Sequence, residues 1–395
     1  MNNTKFNRFK HYAILIRQSV KPIKCPSDFW KLSNQDFKTF LLNFAPTTLI
    51  FTILFIKNSY LSVLKYRDGP DFLFNSITSY SKPKVNPWKR FIGIERNHLI
   101  YYLPLYPMFI RICSFFTFGN YIIGPFLGII LSNFLLTYSF RRLLLVYDLS
   151  DDSNWITFLI SMIPYRFIIS RSTISNEPLF LSITILTVIF FKINYKNTTI
   201  LLLWLACSTK YEGIHLTLSI MISYLIRHDI KNAIYSLSII LPYFFIYWLM
   251  EISSSSDTNG YNDYIKYQTK FETKFYNNRI FYMIYTMIAY VLSFNGSLML
   301  SKTIFPLSIF SILILFVPIP ITTCDIGLYL MQALIFSVNI GFGKFLSNNN
   351  FRKIILFLYF PYLFIIAWFS VRQIESNICS DTVFNSILSE QNYNY

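Results

Sequence analysis

Carboxylates are scarce in this chain, and one of them stands in a turn that could present it to a substrate. The sequence has 19 Asp and Glu among 395 residues. The segment Arg67-Asp68-Gly69-Pro70-Asp71 follows the apolar run 39–56, and its Gly-Pro pair predicts a tight turn. A carboxylate held there could take a proton from a hydroxyl group as a general base. The alternative is an ordinary solvated turn without chemistry.

Cationic residues that could bind an anion stand near the predicted ends of apolar helices. Arg166, Arg171 and Glu177 separate two apolar runs, and Lys210 and Glu212 lie in a polar turn between two others. A charge driven to the centre of a membrane costs about 2.5–3.5 kcal/mol, so such groups face a wet cavity or each other. The alternatives are a purely structural pair of Arg171 with Glu177, and of Lys210 with Glu212.

An aromatic and proline motif, Tyr102-Leu103-Pro104-Leu105-Tyr106-Pro107, precedes another apolar stretch. Two prolines three residues apart cannot both lie inside a regular helix, so we expect them to kink an amphipathic segment. The alternative is an aromatic belt at a membrane interface.

Several kinds of chemistry lack support in the sequence. No Walker, GxGxxG, HExxH or GxSxG motif occurs in a persuasive setting, and the five cysteines are far apart without a CxxC pair. We therefore expect no metal site and no cofactor. The net charge of +16 is spread between apolar runs, which favours anionic membrane lipids or a phosphate-bearing substrate and predicts no nucleic-acid partner.

The elements that must position these residues are membrane helices. Hydrophobic residues make up 54% of the chain and charged residues 14%, against about 25% charged in globular proteins. This composition predicts an all-α polytopic membrane protein of about eleven spans. The predicted spans are 39–56, 121–140, 155–170, 178–193, 198–208, 213–226, 232–250, 280–294, 303–319, 326–342 and 354–371.

The distribution of Lys and Arg predicts the sidedness of these spans. Arg141, Arg142, Lys192, Lys196 and Arg227 fall between spans on the side that the positive-inside tendency makes cytoplasmic. Residues 1–38 then form a cytoplasmic tail. The module 39–225 carries a large luminal loop at 57–120. A C-terminal membrane module at 226–371 carries a second luminal loop at 251–279, and a tail follows at 372–395.

The order of the motifs resembles a known class of enzyme. Asp68-Gly69-Pro70, then Leu103 to Pro107, Arg141-Arg142-Leu143, Arg166-x4-Arg171-Ser172, Glu177-Pro178-Leu179-Phe180 and Ser208 to Gly213 follow one another over roughly residues 60–225. This order resembles GT-C glycosyltransferases, which use polyprenyl-phosphate sugars. Within that class it looks most like the family of GPI mannosyltransferase II and its prokaryotic relatives.

The resemblance implies a GT-C-like bundle in the endoplasmic reticulum membrane that transfers mannose from dolichyl-phosphate mannose to a luminal lipid-linked glycan acceptor. That acceptor would be a GPI-anchor precursor receiving its second mannose. The implied general base is Asp68, and the implied donor-phosphate ligands are Arg171 and Lys210, with Arg166 and Arg111 as second choices. Glu177 would orient Arg171. The implied substrate-binding residues are Asp71, Tyr106, Glu177, Glu212 and Asp263.

Other functions stay open at this point. A GT-C enzyme could use another acceptor, either a protein or a lipid-linked oligosaccharide, and could need a small membrane subunit as a partner. A transporter or lipid scramblase would use the buried charges as a translocation path. The chain could also be a non-catalytic subunit of a membrane complex.

Overall fold

The fold was analysed in a computed structural model, which describes residues 3–25, 29–79, 103–149, 152–162, 165–239, 279–316 and 326–389. Within these ranges the chain is helical, and its one β-type pairing is an isolated antiparallel bridge between Tyr66 and Ile378. A 3₁₀ turn covers Leu159–Met162. The α-helices are α1 (Asn3–Val20), α2 (Asn34–Ile56), α3 (Ser62–Lys65), α4 (Gly69–Thr78), α5 (Leu105–Phe116), α6 (Ile123–Val146), α7 (Ser153–Phe158), α8 (Tyr165–Ser172), α9 (Glu177–Lys192), α10 (Lys196–Thr209), α11 (Gly213–Ile226), α12 (Ile230–Ser238), α13 (Arg279–Leu300), α14 (Phe305–Phe316), α15 (Ile326–Ser337), α16 (Gly343–Leu346), α17 (Asn349–Ser376) and α18 (Asp381–Ser389).

Three of the described helices are long and apolar enough to cross a membrane. They are α2, α6 and α17, and a fourth span results if α8 and α9 are counted together. The expectation of about eleven spans is thus not confirmed. Several predicted spans are shorter apolar helices, such as α11 with 14 residues and α14 with 12, while part of the predicted span 232–250 lies outside the described residues.

The surface of α17 shows the apolar exposure expected of a helix that faces lipid. Phe357 is 81% exposed, and Phe360, Phe364 and Trp368 are exposed on neighbouring turns. The buried positions of the same helix include Ala367. A soluble helix has its polar face outside, so this inverted pattern agrees with a membrane environment.

One end of the bundle collects the basic residues, and we call it the basic end. Asp36 in the first turn of α2 accepts from Arg141 at 2.6 Å and from Arg142 at 2.8 Å, both near the end of α6. Lys192 donates to the carbonyl of Ser19 at 2.8 Å, and Arg227 donates to the carbonyl of Phe191 at 3.0 Å. The segments that the charge pattern assigned to a single side therefore meet at one end.

The opposite end is marked by the final turns of α2 and α17. Lys57, which follows α2, pairs with Glu375 of α17 at 2.5 Å, and Ser59 donates to the same carboxylate at 2.8 Å. Since both helices end here, they run parallel. The Asp68 turn, at the start of α4, follows directly from this end of α2.

The region predicted as a C-terminal tail is folded against this opposite end. Residues 377–379 pair with the backbone of 65–67, and α18 packs on α4. Val383, Phe384 and Ile387 of α18 are buried. The apolar face of α18 thus belongs to the described hydrophobic core, where it covers α4.

Candidate functional site

The centre of the site is a break between α8 and α9. The two helices are bent by 98° at a break of four residues, 173–176. Pro178 in the first turn of α9 explains the break, because inside a continuous helix its ring would clash with the carbonyl of residue 174. The broken segment leaves polar backbone groups inside the bundle, and these need partners.

Glu177, Lys210, Glu212 and Gln332 meet on one side of the break, and we call them the Lys210 cluster. The ammonium of Lys210 lies 3.2 Å from a carboxylate oxygen of Glu177 and 3.0 Å from one of Glu212. The amide of Gln332 donates to the same oxygen of Glu212 at 3.4 Å. All three charged side chains are at most 15% exposed.

The local sequence holds this cluster in place. Lys210 ends α10 in an extended conformation, and the turn to α11 is closed by Gly213. A Cβ on Gly213 would lie 2.6 Å from the backbone nitrogen of Cys207, so only glycine permits this approach. Asn176 donates to the carbonyl of Thr209 at 3.1 Å and ties the break to the end of α10.

The cluster corrects one expectation from the sequence. Among the described contacts, Glu177 pairs with Lys210 and not with Arg171. The carboxylates of Glu177 and Glu212 face one ammonium, that of Lys210, which leaves a formal excess of negative charge. The side-chain oxygen of Gln332 is buried and accepts no hydrogen bond from a described group. This arrangement suits a ligand that donates hydrogen bonds, such as a sugar hydroxyl group. Lys210 as a ligand of the donor phosphate stays a prediction.

Arg171 lies on the other side of the break, in the interior of the bundle, and is only 1% exposed. Its Nε donates to the side-chain oxygen of Asn133 at 2.6 Å, and the Asn133 amide donates to the Arg171 carbonyl at 2.8 Å. The guanidinium also lies 5.7 Å from the ring of Phe167. Its Nη2 is buried and has no acceptor among the described residues. Arg171 therefore has hydrogen-bonding capacity left for an anion.

Tyr106 joins α5 to the break. Its hydroxyl accepts from the backbone N–H of Ser175 at 2.9 Å, and its ring meets Phe72 of α4 edge to face at 4.9 Å. Pro104 precedes α5 and Pro107 lies in its first turn. Backbone N–H groups in the first turn have no acceptor within the helix, so proline, which lacks an N–H, loses no helical hydrogen bond there. The expected kink is therefore wrong, because the two prolines begin the helix.

The Asp68 turn reaches the same break from α4. A Cβ placed on Gly69 would lie 2.6 Å from the carbonyl oxygen of Leu64 and 3.6 Å from the Cβ of Ile174, which belongs to the break. Asp68 is half-buried and Asp71 is 7% exposed. Asp71 lies in the first turn of α4, where the helix dipole favours negative charge.

The structure brings most of the predicted site residues to this region, and the exceptions are clear. Arg111 is exposed on α5, whereas Arg166 is half-buried five residues before Arg171. Asp263 lies outside the described residues. Asn133 was missed by the sequence reasoning, although a polar amide within a long apolar helix is a usable signal.

An apolar cleft of about 350 Å³ opens beside the Asp68 turn. Its lining residues come from α2, α3, α6 and the loop after α2, and they are Phe51, Thr52, Leu54, Phe55, Tyr60, Val63 and Phe126. Phe55 is 71% exposed, so the cleft communicates with the apolar surface of the bundle.

Comparisons with protein-family models and with curated protein sequences identify no family for this chain. Neither a protein-family model nor a curated protein sequence matches the chain. Among the described residues, no group of three or more His, Cys, Asp or Glu is arranged to hold a metal ion.

Proposed function

We propose that the chain is a polytopic GT-C-like glycosyltransferase of the endoplasmic reticulum membrane. It transfers mannose from dolichyl-phosphate mannose to a luminal lipid-linked acceptor, and the motif order favours a GPI-anchor precursor. The observation that carries the proposal is the convergence of separate motifs at the 173–176 break. Gly69, the residue after the half-buried Asp68, lies against Ile174 of the break. The buried cation of Arg171 and Glu177 of the Lys210 cluster flank the same four residues in sequence.

Each group has a role that its surroundings support. The carboxylate of Asp68 takes the proton of the acceptor hydroxyl while that oxygen bonds to the anomeric carbon of mannose. The bond between this carbon and the phosphate oxygen breaks, and the lipid phosphate leaves with the electron pair. In-line attack on a β-linked donor gives an α-mannoside.

Arg171 stabilises the negative charge of the departing phosphate. A guanidinium presents a planar set of N–H donors that matches phosphate oxygens, and Nη2 has the capacity for such a bond. Because Arg171 is buried away from water, its attraction to the phosphate charge is stronger than it would be in solution. The Lys210 cluster binds sugar hydroxyl groups through its carboxylate and amide oxygens.

The apolar cleft supports a lipid-linked substrate. Val63 lines it and lies five residues before Asp68. A hydrocarbon chain in this cleft would keep its phosphate end near the Asp68 turn, and burial of each CH₂ group would contribute about 0.8 kcal/mol.

The test replaces the proposed base while keeping its shape. Asp68→Asn removes the basic carboxylate and retains the size and turn preference of the side chain. We expect transfer of labelled mannose from dolichyl-phosphate mannose to GPI precursors in membranes to fall by about 10²- to 10⁴-fold. Abundance and thermal stability should stay near those of the unmodified protein.

Asp71→Asn is the matched control, because Asp71 is the other carboxylate of the same turn. We expect a smaller loss of transfer, since Asp71 lies in the first turn of α4, where the helix dipole favours its charge. Near-normal transfer by Asp68→Asn at equal abundance would exclude Asp68 as the base. Lack of mannose transfer by the unmodified protein, with GPI precursors and other lipid-linked acceptors alike, would contradict the proposed reaction.

A further inference from the structure

The C-terminal segment forms a short antiparallel pairing with the residues that precede Asp68. The N–H of Arg67 donates to the carbonyl of Asn377 at 3.2 Å, and the N–H of Cys379 donates to the carbonyl of Lys65 at 3.0 Å. Between these two bonds, Tyr66 faces Ile378 across the bridge. Residues more than 300 positions apart are thus fixed in register immediately before the turn.

Lys65 adds a side-chain contact to this pairing. Its ammonium forms an ion pair with Asp381 and lies 5.1 Å from the centre of the Phe384 ring. Lys65 is 11% exposed at its side chain and Phe384 is 1% exposed. A cation over an aromatic ring contributes about 0.5–2 kcal/mol, with the larger values at desolvated sites. Asp381 is 80% exposed, so its ion pair adds little.

The backbone at Arg67 explains why the turn needs such a partner. Its φ is 45°, in the left-handed region, which costs a non-glycine residue roughly 1–2 kcal/mol. Such a conformation persists when surrounding contacts determine it. The hydrogen bond from Arg67 to Asn377 is one of those contacts, and Asp68 is the next residue.

We propose that residues 377–384 are a clamp that positions Asp68, with Lys65 as the positioning residue that joins the clamp to the Asp68 turn. This inference rests on the proposed function of Asp68, but the contacts of the clamp are independent of it. Release of Lys65 lets Arg67 leave the left-handed region. The direction of the Asp68 carboxylate then changes without loss of the residue itself.

The experiment compares Lys65→Met with Lys65→Arg and Lys57→Met. Methionine keeps an unbranched chain but removes the charge, arginine restores it, and Lys57 forms an ion pair with Glu375 at the same end but outside the clamp. We expect Lys65→Met to lower kcat for mannose transfer by about 10- to 10²-fold, as for a displaced catalytic group, with KM unchanged. Lys65→Arg should restore kcat, and Lys57→Met should leave it unchanged.

A second readout reports on the clamp without any activity. Burial raises the pKa of the Cys379 thiol to about 12, and only the thiolate reacts readily with alkylating agents. Lys65→Met removes a charge that lowers this pKa, but burial is the larger cause. Exposure of the thiol on release of the clamp should therefore still increase the rate of Cys379 alkylation at least about tenfold, since one pKa unit is tenfold in thiolate. The rate at Cys25, which lies at the basic end, serves as the internal reference in peptide mass spectrometry.

The outcomes separate the clamp from the proposed reaction. Without detectable transfer by the unmodified protein, faster alkylation of Cys379 in Lys65→Met would support the clamp and leave the reaction unsupported. Unchanged kcat and unchanged alkylation would overturn the clamp. A loss of kcat that Lys65→Arg does not restore would overturn the positioning role. If Lys65→Met lowers abundance, Phe384→Leu keeps the apolar packing and removes the ring, and it should change kcat and alkylation in the same direction.

Discussion

The ion pairs of Asp36 at the basic end give a prediction about stability that does not depend on the proposed reaction. Asp36 is 1% exposed at its side chain, and its two oxygens accept separately from Arg141 and Arg142. It also accepts from the backbone N–H of Ser33 at 2.8 Å in a capping box at the start of α2. Asp36→Asn keeps the volume and removes the charge that faces two arginines.

The structure sets the size of the expected effect. Removing one partner of a buried ion pair costs about 3–5 kcal/mol, because a charge stays behind without compensation. Arg142 retains a hydrogen bond to the carbonyl of Lys31 at 2.6 Å and lies 4.8 Å from the ring of Tyr138. We therefore expect Asp36→Asn to lower the free energy of unfolding by about 3 kcal/mol, the lower end of this range.

The control is a carboxylate in a more exposed pair at the same end. Asp229 pairs with Lys196 at 2.7 Å, but the two side chains are 23% and 41% exposed. Asp229→Asn should cost only about 0–1 kcal/mol. Reversible unfolding of the purified protein in mixed micelles, followed by circular dichroism, measures both variants. Equal losses for Asp36→Asn and Asp229→Asn would refute the reasoning from burial.

Two further substitutions test contacts at the break. Gly69→Ala should sharply lower abundance and mannose transfer, because its Cβ would lie 2.6 Å from the backbone oxygen of Leu64. Gly128→Ala is the control, since the nearest contact of its Cβ would be an ordinary 3.5 Å. Equal effects of the two substitutions in western blots and transfer assays would contradict the steric argument. Tyr106→Phe leaves the N–H of Ser175 without its acceptor. We expect the free energy of unfolding to fall by about 1–3 kcal/mol in the same assay. An unchanged unfolding curve would show that water replaces this hydrogen bond.

Part of this arrangement could be predicted from the sequence because it follows from local chemistry. The Gly-Pro pair predicted the turn that holds Asp68, and the structure has α4 starting at Gly69 with Pro70 in its first turn. The spacing of Lys and Arg predicted which segments share one end of the bundle. Both inferences need only the residues themselves and their neighbours in sequence.

The partners of the buried charges could not be predicted in the same way. Lys210 is close in sequence to Glu212, but its pairing with Glu177 depends on how α9 and α10 pack. Arg171 has an amide of α6 as its partner instead of a carboxylate. A charged residue within an apolar sequence needs a polar or oppositely charged partner. The sequence does not identify that partner, because a carboxylate, an amide or a backbone carbonyl could each compensate the charge.

The helix in the C-terminal segment was not predicted, for a related reason. The nine residues of α18 are too few to form a stable helix alone, so sequence patterns favour a tail. Its stability comes from burial of Phe384 and its neighbours against α4. That contact joins residues over 300 positions apart, which no local pattern records.

Helix length explains why the chemistry collects at one depth of the bundle. The helices α9, α10 and α11 have 16, 14 and 14 residues, or about 21–24 Å at 1.5 Å per residue. Each has one end at the basic end, where Lys192, Lys196 and Arg227 lie. In a membrane with a hydrocarbon core of about 30 Å, their other ends would stop several ångströms short of the far surface. Backbone groups at those ends must be satisfied by protein, by water in a cavity or by a polar ligand. Short helices in an apolar bundle therefore create a polar site where they end.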